Sequence, residues 1–192
     1  MKKQLGPKDI MFPVPPALIV SGDFENPNIV TVAWIGVMGV NPPIIGISLN
    51  KNRYSLELIE KLKCFSVNLP SANLVKEVDY CGIITGRKTK KFEDTGFTPV
   101  QSRKIKSPII QECPFNFECK VVNSLDFGNW TVVFGEILET YVDADKINGE
   151  KFKDIDVKKI NPLVYISTIR EYYTLGEKIG DGFDIGFELK NN

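Results

Sequence analysis

The chain has 192 residues, enough for one domain with a real core and hardly enough for two. Lys plus Arg equals Asp plus Glu at 24 each, so there is no electrostatic case for general nucleic-acid binding. It contains no histidine, which removes Ser-His and Cys-His catalytic pairs, H-E-x-x-H metal sites and imidazole relays, and leaves any chemistry to a bound cofactor.

The first sixteen residues, MKKQLGPKDIMFPVPP, carry lysines but no apolar run. They do not read as a signal peptide, and the expected compartment is the cytoplasm. Residues 10–16 are Pro-rich and extended. Residues 17–21 (ALIVS) read as a strand, and Gly22-Asp23 starts a turn. Residues 28–55 then form the stretch on which the chain is organised. They hold no charge until Lys51 and are rich in β-branched residues, with Asn41-Pro42-Pro43 as a break. This reads as two buried strands joined by a turn. A membrane span of similar length is not expected, because of that break and the β-branched bias. Lys51, Arg53, Tyr54 and Ser55 follow, a cationic and hydroxyl cluster at the end of a buried strand.

Leu56, Ile59 and Leu62 are at helical spacing and predict a helix over 53–62. Residues 65–69 alternate as a strand up to Pro70. Ser71 is read as the cap of a helix through Tyr80. Residues 82–96 (GIITGRKTKKFEDTG) read as a loop plus a short helix, and 98–112 as irregular. Residues 115–124 and 131–141 read as a hairpin of strands around a turn at 125–129, and 163–166 as a last strand. Residues 144–159 are a polar connection, and the tail from 171 is rich in glycine and aromatics. Six or seven strands with short helices between them suggest one mainly β domain over 1–192, a closed antiparallel barrel. Its outer wall would need cover, which a second subunit could give.

Four cysteines, Cys64, Cys81, Cys113 and Cys119, form no C-x-x-C pair and are expected to be free thiols. No metal site is expected. Gly180-Asp181-Gly182 with Gly186 lacks the spacing and the strand-turn-helix setting of a dinucleotide fingerprint. The cationic set says more. Arg53 and Ser55 open one predicted helix, and Thr85, Gly86, Arg87, Lys90 and Lys91 follow another. A phosphate is held by helix N-terminal amides, hydroxyls and cations, and these segments offer all three. A run such as RKTKK is also compatible with a solvated surface.

Thr31-Val32-Ala33-Trp34-x-Gly36, Asn41-Pro42-Pro43, Ser48-Leu49, Arg53-Tyr54-Ser55, Asn68-Leu69-Pro70, Asp79-Tyr80-Cys81-Gly82, and Gly86-Arg87 followed by Lys91-Phe92 occur in order. Together with Glu118-Cys119, Gly135-Glu136 and Tyr173-x-Leu175-Gly176, the set resembles the flavin reductase-like, FMN-binding split-barrel family, and its flavoredoxin branch in particular. The resemblance implies an FMN-binding split β-barrel, a Greek-key antiparallel barrel with short flanking helices, acting as a homodimer. It puts Thr31, Ala33 and Trp34 along the flavin, and backbone groups of Ser48 and Leu49 at the ring edge. Arg53, Tyr54 and Ser55 would hold the phosphate with Thr85, Arg87 and Lys91, and Asn68 is a further candidate. No residue is expected to be an obligatory acid or base. The implied activity is electron transfer, from reduced nicotinamide or a low-potential protein donor to a small acceptor, ferric chelate or protein. A non-catalytic flavin carrier and a split-barrel module without flavin are the alternatives. At Trp130 the branch often carries a histidine, and at Asn50 a basic residue, so the roles of those residues do not transfer.

Overall fold

The computed structural model describes residues 1–190. Four of its strands come from the first 50 residues: β1 (Ala17–Ser21), β2 (Asn28–Val32), β3 (Ile35–Val40) and β4 (Pro43–Asn50). Helix α1 (Tyr54–Leu62) leads to β5 (Cys64–Leu69), and α2 (Val75–Ile83) and α3 (Lys91–Thr95) follow. After a two-residue ladder, β6 (Pro99–Val100) with β7 (Ile109–Ile110), comes the long hairpin of β8 (Phe115–Phe127) and β9 (Trp130–Val142). A short α4 (Val157–Ile160) precedes a second hairpin, β10 (Leu163–Ile166) with β11 (Glu171–Thr174).

The main sheet has seven strands in the order β2-β1-β5-β8-β9-β4-β3, all paired antiparallel. The expectation of a closed barrel is corrected: β2 and β3 are the two sheet edges and do not pair with each other. The reason is local. The chain bends at Ala33-Trp34, so two strands adjacent in sequence end on opposite edges, leaving a seam between them. One backbone bond ties the seam, from Ser48 N to Trp34 O at 2.9 Å. The barrel is split where the chain passes from one edge to the other.

Residues 28–50 therefore form three strands, not two, and only two of them are buried. β2 and the middle of β4 are in the core, whereas β3 exposes Val37, Met38 and Val40 at 69%, 57% and 87%. Inside the barrel, Ile19, Ile47, Leu49, Phe65, Val67 and Val133 pack with α1 through Leu56 and Ile59. A second core, with Leu18, Ile29, Val78, Cys81 and Ile110, seats α2 and α3 on the outer face of β1 and β2. Alternate residues of β1 thus feed two cores, the period-2 rule for a strand covered on both sides.

Three local readings are corrected. Ser71 caps a three-residue 3-10 turn (Ala72–Leu74) ahead of α2 and makes no side-chain cap bond, so the α-helix starts later, at Val75. The turn expected at 125–129 shrinks to Gly128-Asn129, because Leu125, Asp126 and Phe127 continue the ladder against Val132, Thr131 and Trp130. Gly128, at φ 59°, supplies the left-handed conformation that this tight turn needs. The tail contains β11, which its register with β10 creates and its own composition does not announce.

Candidate functional site

The seam opens into two adjoining clefts that share Val30, Asn50, Arg53 and Trp130 in their walls. The first, of about 490 Å³, runs between β2 and the end of β4. Pairing of β4 with β3 ends at Ile47 and the Ser48 N to Trp34 O bond, so beyond Ser48 the facing edges of β4 and β2 are free of ladder partners. Unpaired strand edges present backbone N–H and C=O groups. Thr31, Ala33, Trp34, Ser48 and Leu49 all line this cleft. The Thr31 hydroxyl is used elsewhere, donating to Val78 O and tying β2 to α2. Trp34 stacks on Trp130 with ring centroids 4.6 Å apart and planes tilted by 48°. Both indoles line the cleft and are about a third exposed, so they form an aromatic wall.

The second cleft, of about 450 Å³, lies at the start of α1. Its walls include Asn28, Asn50, Asn52, Arg53, Tyr54, Ser55, Thr85, Gly86 and Lys91, and no carboxylate. Arg53 ends the loop after β4 in an extended conformation, and α1 has no side-chain cap, so its first amides are not taken by one. Arg53 Nη1 donates to Gly82 O at 3.0 Å, which fixes the guanidinium between α1 and the end of α2. Ser55 is buried, and its Oγ accepts from Asn28 Nδ2 at 2.7 Å.

Lys91 is the unusual member. It is 3% exposed, and its Nζ donates to Ile29 O and Cys81 O, both at 2.8 Å. An ammonium has three donors, so one N–H is left over for the cleft. Among the described residues no carboxylate pairs with it. Burial pulls its pKa down from 10.5 to about 8, opposed by Cys81 and aided to a lesser degree by the nearby Arg53 charge. A buried cation without an anion, beside Arg53 and uncapped helix amides, is an arrangement that a phosphate completes.

A larger residue than Gly86 in this cleft would have to displace the Asn28 amide that holds Ser55. A Cβ there would lie 1.7 Å from Asn28 Oδ1, so the loop after α2 closes on β2 at this glycine. The charges of the RKTKK run divide: Lys91 turns inward, whereas Lys90 pairs with Glu93 at 3.0 Å on the surface.

Three expected residues stand apart. Arg87 lines neither cleft; both its terminal nitrogens grip Glu57 of α1, and it lies 5.1 Å above the Tyr54 ring. It braces the loop against α1 from outside. Lys51 pairs with Asp126 at 2.7 Å, away from the clefts. Asn68 is corrected outright as a cleft residue. It is fully buried, donates to Leu18 O and Ser66 Oγ, and accepts from Ile110 N and Asn116 Nδ2, all within 3.0 Å. Its polar atoms are spent on joining β1, β7 and β8.

Sequence reasoning missed Asn28 and the outer wall of the first cleft. Asn28 lay in the central stretch but had no neighbour to mark it. The outer wall combines Lys8, Asp9 and Ile10 with Tyr165, Ser167, Thr168 and Arg170, brought together by the Val14–Tyr165 bridge across 151 positions of chain. No local signal could have joined those segments. Tyr165 is held in turn by Tyr172, whose hydroxyl donates to Asp79 at 3.0 Å. All four cysteines are free and buried, as expected, and burial raises the thiol of Cys81 to about 12 and those of Cys113 and Cys119 further. Among the described residues there is no metal-binding cluster and no helix long and apolar enough to cross a membrane.

Residues 10–176 match the family model described as Flavin reductase like domain. An uncharacterised protein of Archaeoglobus fulgidus is 36% identical over 76% of this chain and 78% of its own length. The solved structure of flavoredoxin from Desulfovibrio vulgaris (Miyazaki F) is 32% identical, covers 97% of this chain and all of its own, and superposes with a TM-score of 0.89. A flavoredoxin from Methanosarcina acetivorans gives the same TM-score at 30% identity, over 98% of this chain. An FMN-binding protein from Thermus thermophilus, at 18% identity and a TM-score of 0.76, shares the fold. The split barrel, the paired clefts in its seam and these matches agree: the chain belongs to the flavin reductase-like family of flavin-related redox proteins, in its flavoredoxin branch.

Proposed function

We propose that the protein is an FMN-dependent oxidoreductase. It would take electrons from a reduced nicotinamide nucleotide or a low-potential protein donor and pass them to a small acceptor, a ferric chelate or a protein. The observation that carries this reading is the carboxylate-free cleft around Lys91, directly joined to a cleft walled by strand edges and two tryptophans. A phosphorylated flavin needs that pair of environments, and riboflavin would use only one of them.

Arg53, Ser55, Thr85, Lys91 and the first amides of α1 would hold the phosphate, with Tyr54 at their side. Backbone groups of Ser48 and Leu49, with Thr31, Ala33 and Trp34, would orient the ring system. Arg87 and Asn28 act on the site indirectly, the first by bracing the loop and the second by fixing Ser55. Bound FMN supplies reversible acceptance of two electrons, together or one at a time. No side chain in either cleft needs to move a proton for that, which suits a chain without histidine.

The exposed apolar strip of β3, with Phe152 beside it, supports a homodimer in which a second copy covers the outer wall of the barrel. Light scattering should then report twice the chain mass. The functional reading is tested by the absorbance spectrum of the purified chain with added FMN, followed by anaerobic titration with NADH and NADPH. Bleaching of the flavin band supports it. A chain that binds no flavin contradicts it, and a bound flavin that neither nucleotide reduces moves the donor to a protein.

A further inference from the structure

The first cleft contains charges that flavin binding does not use. Arg53 belongs to the phosphate end and is turned toward Gly82 O. Lys8, Asp9 and Arg170 remain, all on the outer wall and none from the barrel. Among the described residues none of the three is in an ion pair. Arg170 closes the turn between β10 and β11 with a φ of 59°. A non-glycine residue rarely adopts that conformation. The turn is anchored by the Arg170 N to Ile166 O bond at 2.9 Å, so the strained residue is held rather than loose. An arginine, where glycine would fit without strain, thus lines a cleft walled by Trp34 and Trp130.

We propose that Arg170 and Lys8 form an anion-recognition site at the mouth of this cleft, selecting redox partners that bring negative charge to it, as a carboxylate chelate or a phosphorylated nucleotide does. Asp9 opposes them and tempers the field, leaving one net positive charge at the mouth of a chain that is neutral overall. Cations at a cleft mouth raise the local concentration and the arrival rate of anions, an effect that salt screens. The choice of redox partner rests on the flavin reading; the anion site itself does not.

The tryptophans allow a test that needs no flavin. The chain has two, and both line this cleft, Trp130 being shared with the second, so intrinsic fluorescence reports on the joined clefts and the change on Arg170→Gly isolates the mouth. In the flavin-free full chain, iodide should quench more strongly than caesium. Arg170→Gly removes the charge at a backbone position that glycine accepts, so folding is spared. It should lower the iodide quenching constant by about two- to fivefold, the scale of one exposed charge pair, and leave quenching by neutral acrylamide unchanged. Asp9→Asn should act in the opposite direction. Unchanged iodide quenching in Arg170→Gly and in Lys8→Ala overturns the anion site.

With FMN bound, two further arms identify the source of the charge. One is the oxidation rate with ferric-EDTA, and the other is the reduction rate with NADPH, with benzoquinone as neutral control. A loss confined to the chelate arm assigns the site to carboxylate acceptors, and a loss confined to the nucleotide arm assigns it to phosphate. Unchanged rates in both arms overturn the role in partner selection. A wild-type chain that binds no flavin defeats the functional reading, while the quenching arm still decides the anion site.

Discussion

Two buried charges in this molecule invite comparison. Glu118 of β8 is fully buried, and its carboxylate accepts from Arg103 N at 2.8 Å, Lys104 N at 2.6 Å and the Tyr141 hydroxyl at 2.6 Å. Lys91 is almost as deeply buried, but it has two neutral carbonyls and a spare donor facing a cleft. Glu118 is closed: two contacts pin the loop at Arg103-Lys104 to the sheet, and the third ties β8 to β9. Lys91 is open, and its environment improves only when an anion arrives. A buried charge with complete partners marks architecture, and one with incomplete partners marks a site.

Breaking the closed charge should have the largest effect. Glu118→Ala leaves two amides and a hydroxyl without an acceptor, and each donor left unsatisfied costs about 1–3 kcal/mol. Urea denaturation should show that loss, and FMN affinity of the chain that remains folded should be unchanged. Reduced FMN affinity at full stability would mean that Glu118 serves the site.

Lys91→Met makes the opposite pattern. Relief of the buried charge offsets two carbonyls left without a donor, so stability should change little. FMN affinity should fall roughly tenfold to a hundredfold, the worth of one charge-assisted contact of about 1.5–3 kcal/mol. Isothermal titration checks it; a large stability loss with unaltered affinity would make Lys91 architectural.

The same lysine gives a pH signature of known sign. Its folded pKa, about 8, is below its ordinary 10.5, so the folded state holds fewer protons than the unfolded state between those values. The cost of burying its charge is therefore fully present below about pH 8 and is relieved as pH rises toward 10.5. Flavin-free wild type should gain stability over that window relative to Lys91→Met. FMN affinity should decline over the same window in wild type and stay flat in the variant. Parallel curves would remove Lys91 from the phosphate site.

The smallest effect is expected from the cysteines. All four are buried, so a thiol reagent should find none in the native chain and four after denaturation. Replacing Cys113 or Cys119 by Ala should leave flavin reduction intact, and loss of electron transfer would indicate a redox-active thiol.

The sequence carried most of the sheet, because β1, β2, β4, β5 and the long hairpin combine β-branched alternation with Pro and Gly stops. It also marked residues that the fold gathers in the second cleft, since Arg53, Ser55 and Lys91 flank predicted helices. It missed what pairing decides. β3 has the composition of a core strand and becomes an exposed edge, because the bend at Ala33-Trp34 sends the chain across the seam. Arg87 and Lys91 look equivalent in one basic run, yet Glu57 holds the first outside while the backbone of β2 and α2 draws the second inside. Asn68 read as a ligand residue because burial and hydrogen-bond partners are not written in a residue's identity. The outer wall joins segments from both ends of the chain, which no local pattern encodes.

The central claim is that the open charge cluster at α1 receives a phosphate joined to a flavin. Paired titrations of FMN and riboflavin on wild type and Arg53→Ala test it most directly. The account predicts that the variant loses roughly tenfold to a hundredfold in FMN affinity, the range for a charge-assisted bond. Riboflavin affinity should barely change, and Arg53→Lys should recover part of the loss because lysine keeps the charge but not the planar fork. An FMN-to-riboflavin affinity ratio that is the same in wild type and Arg53→Ala would contradict it.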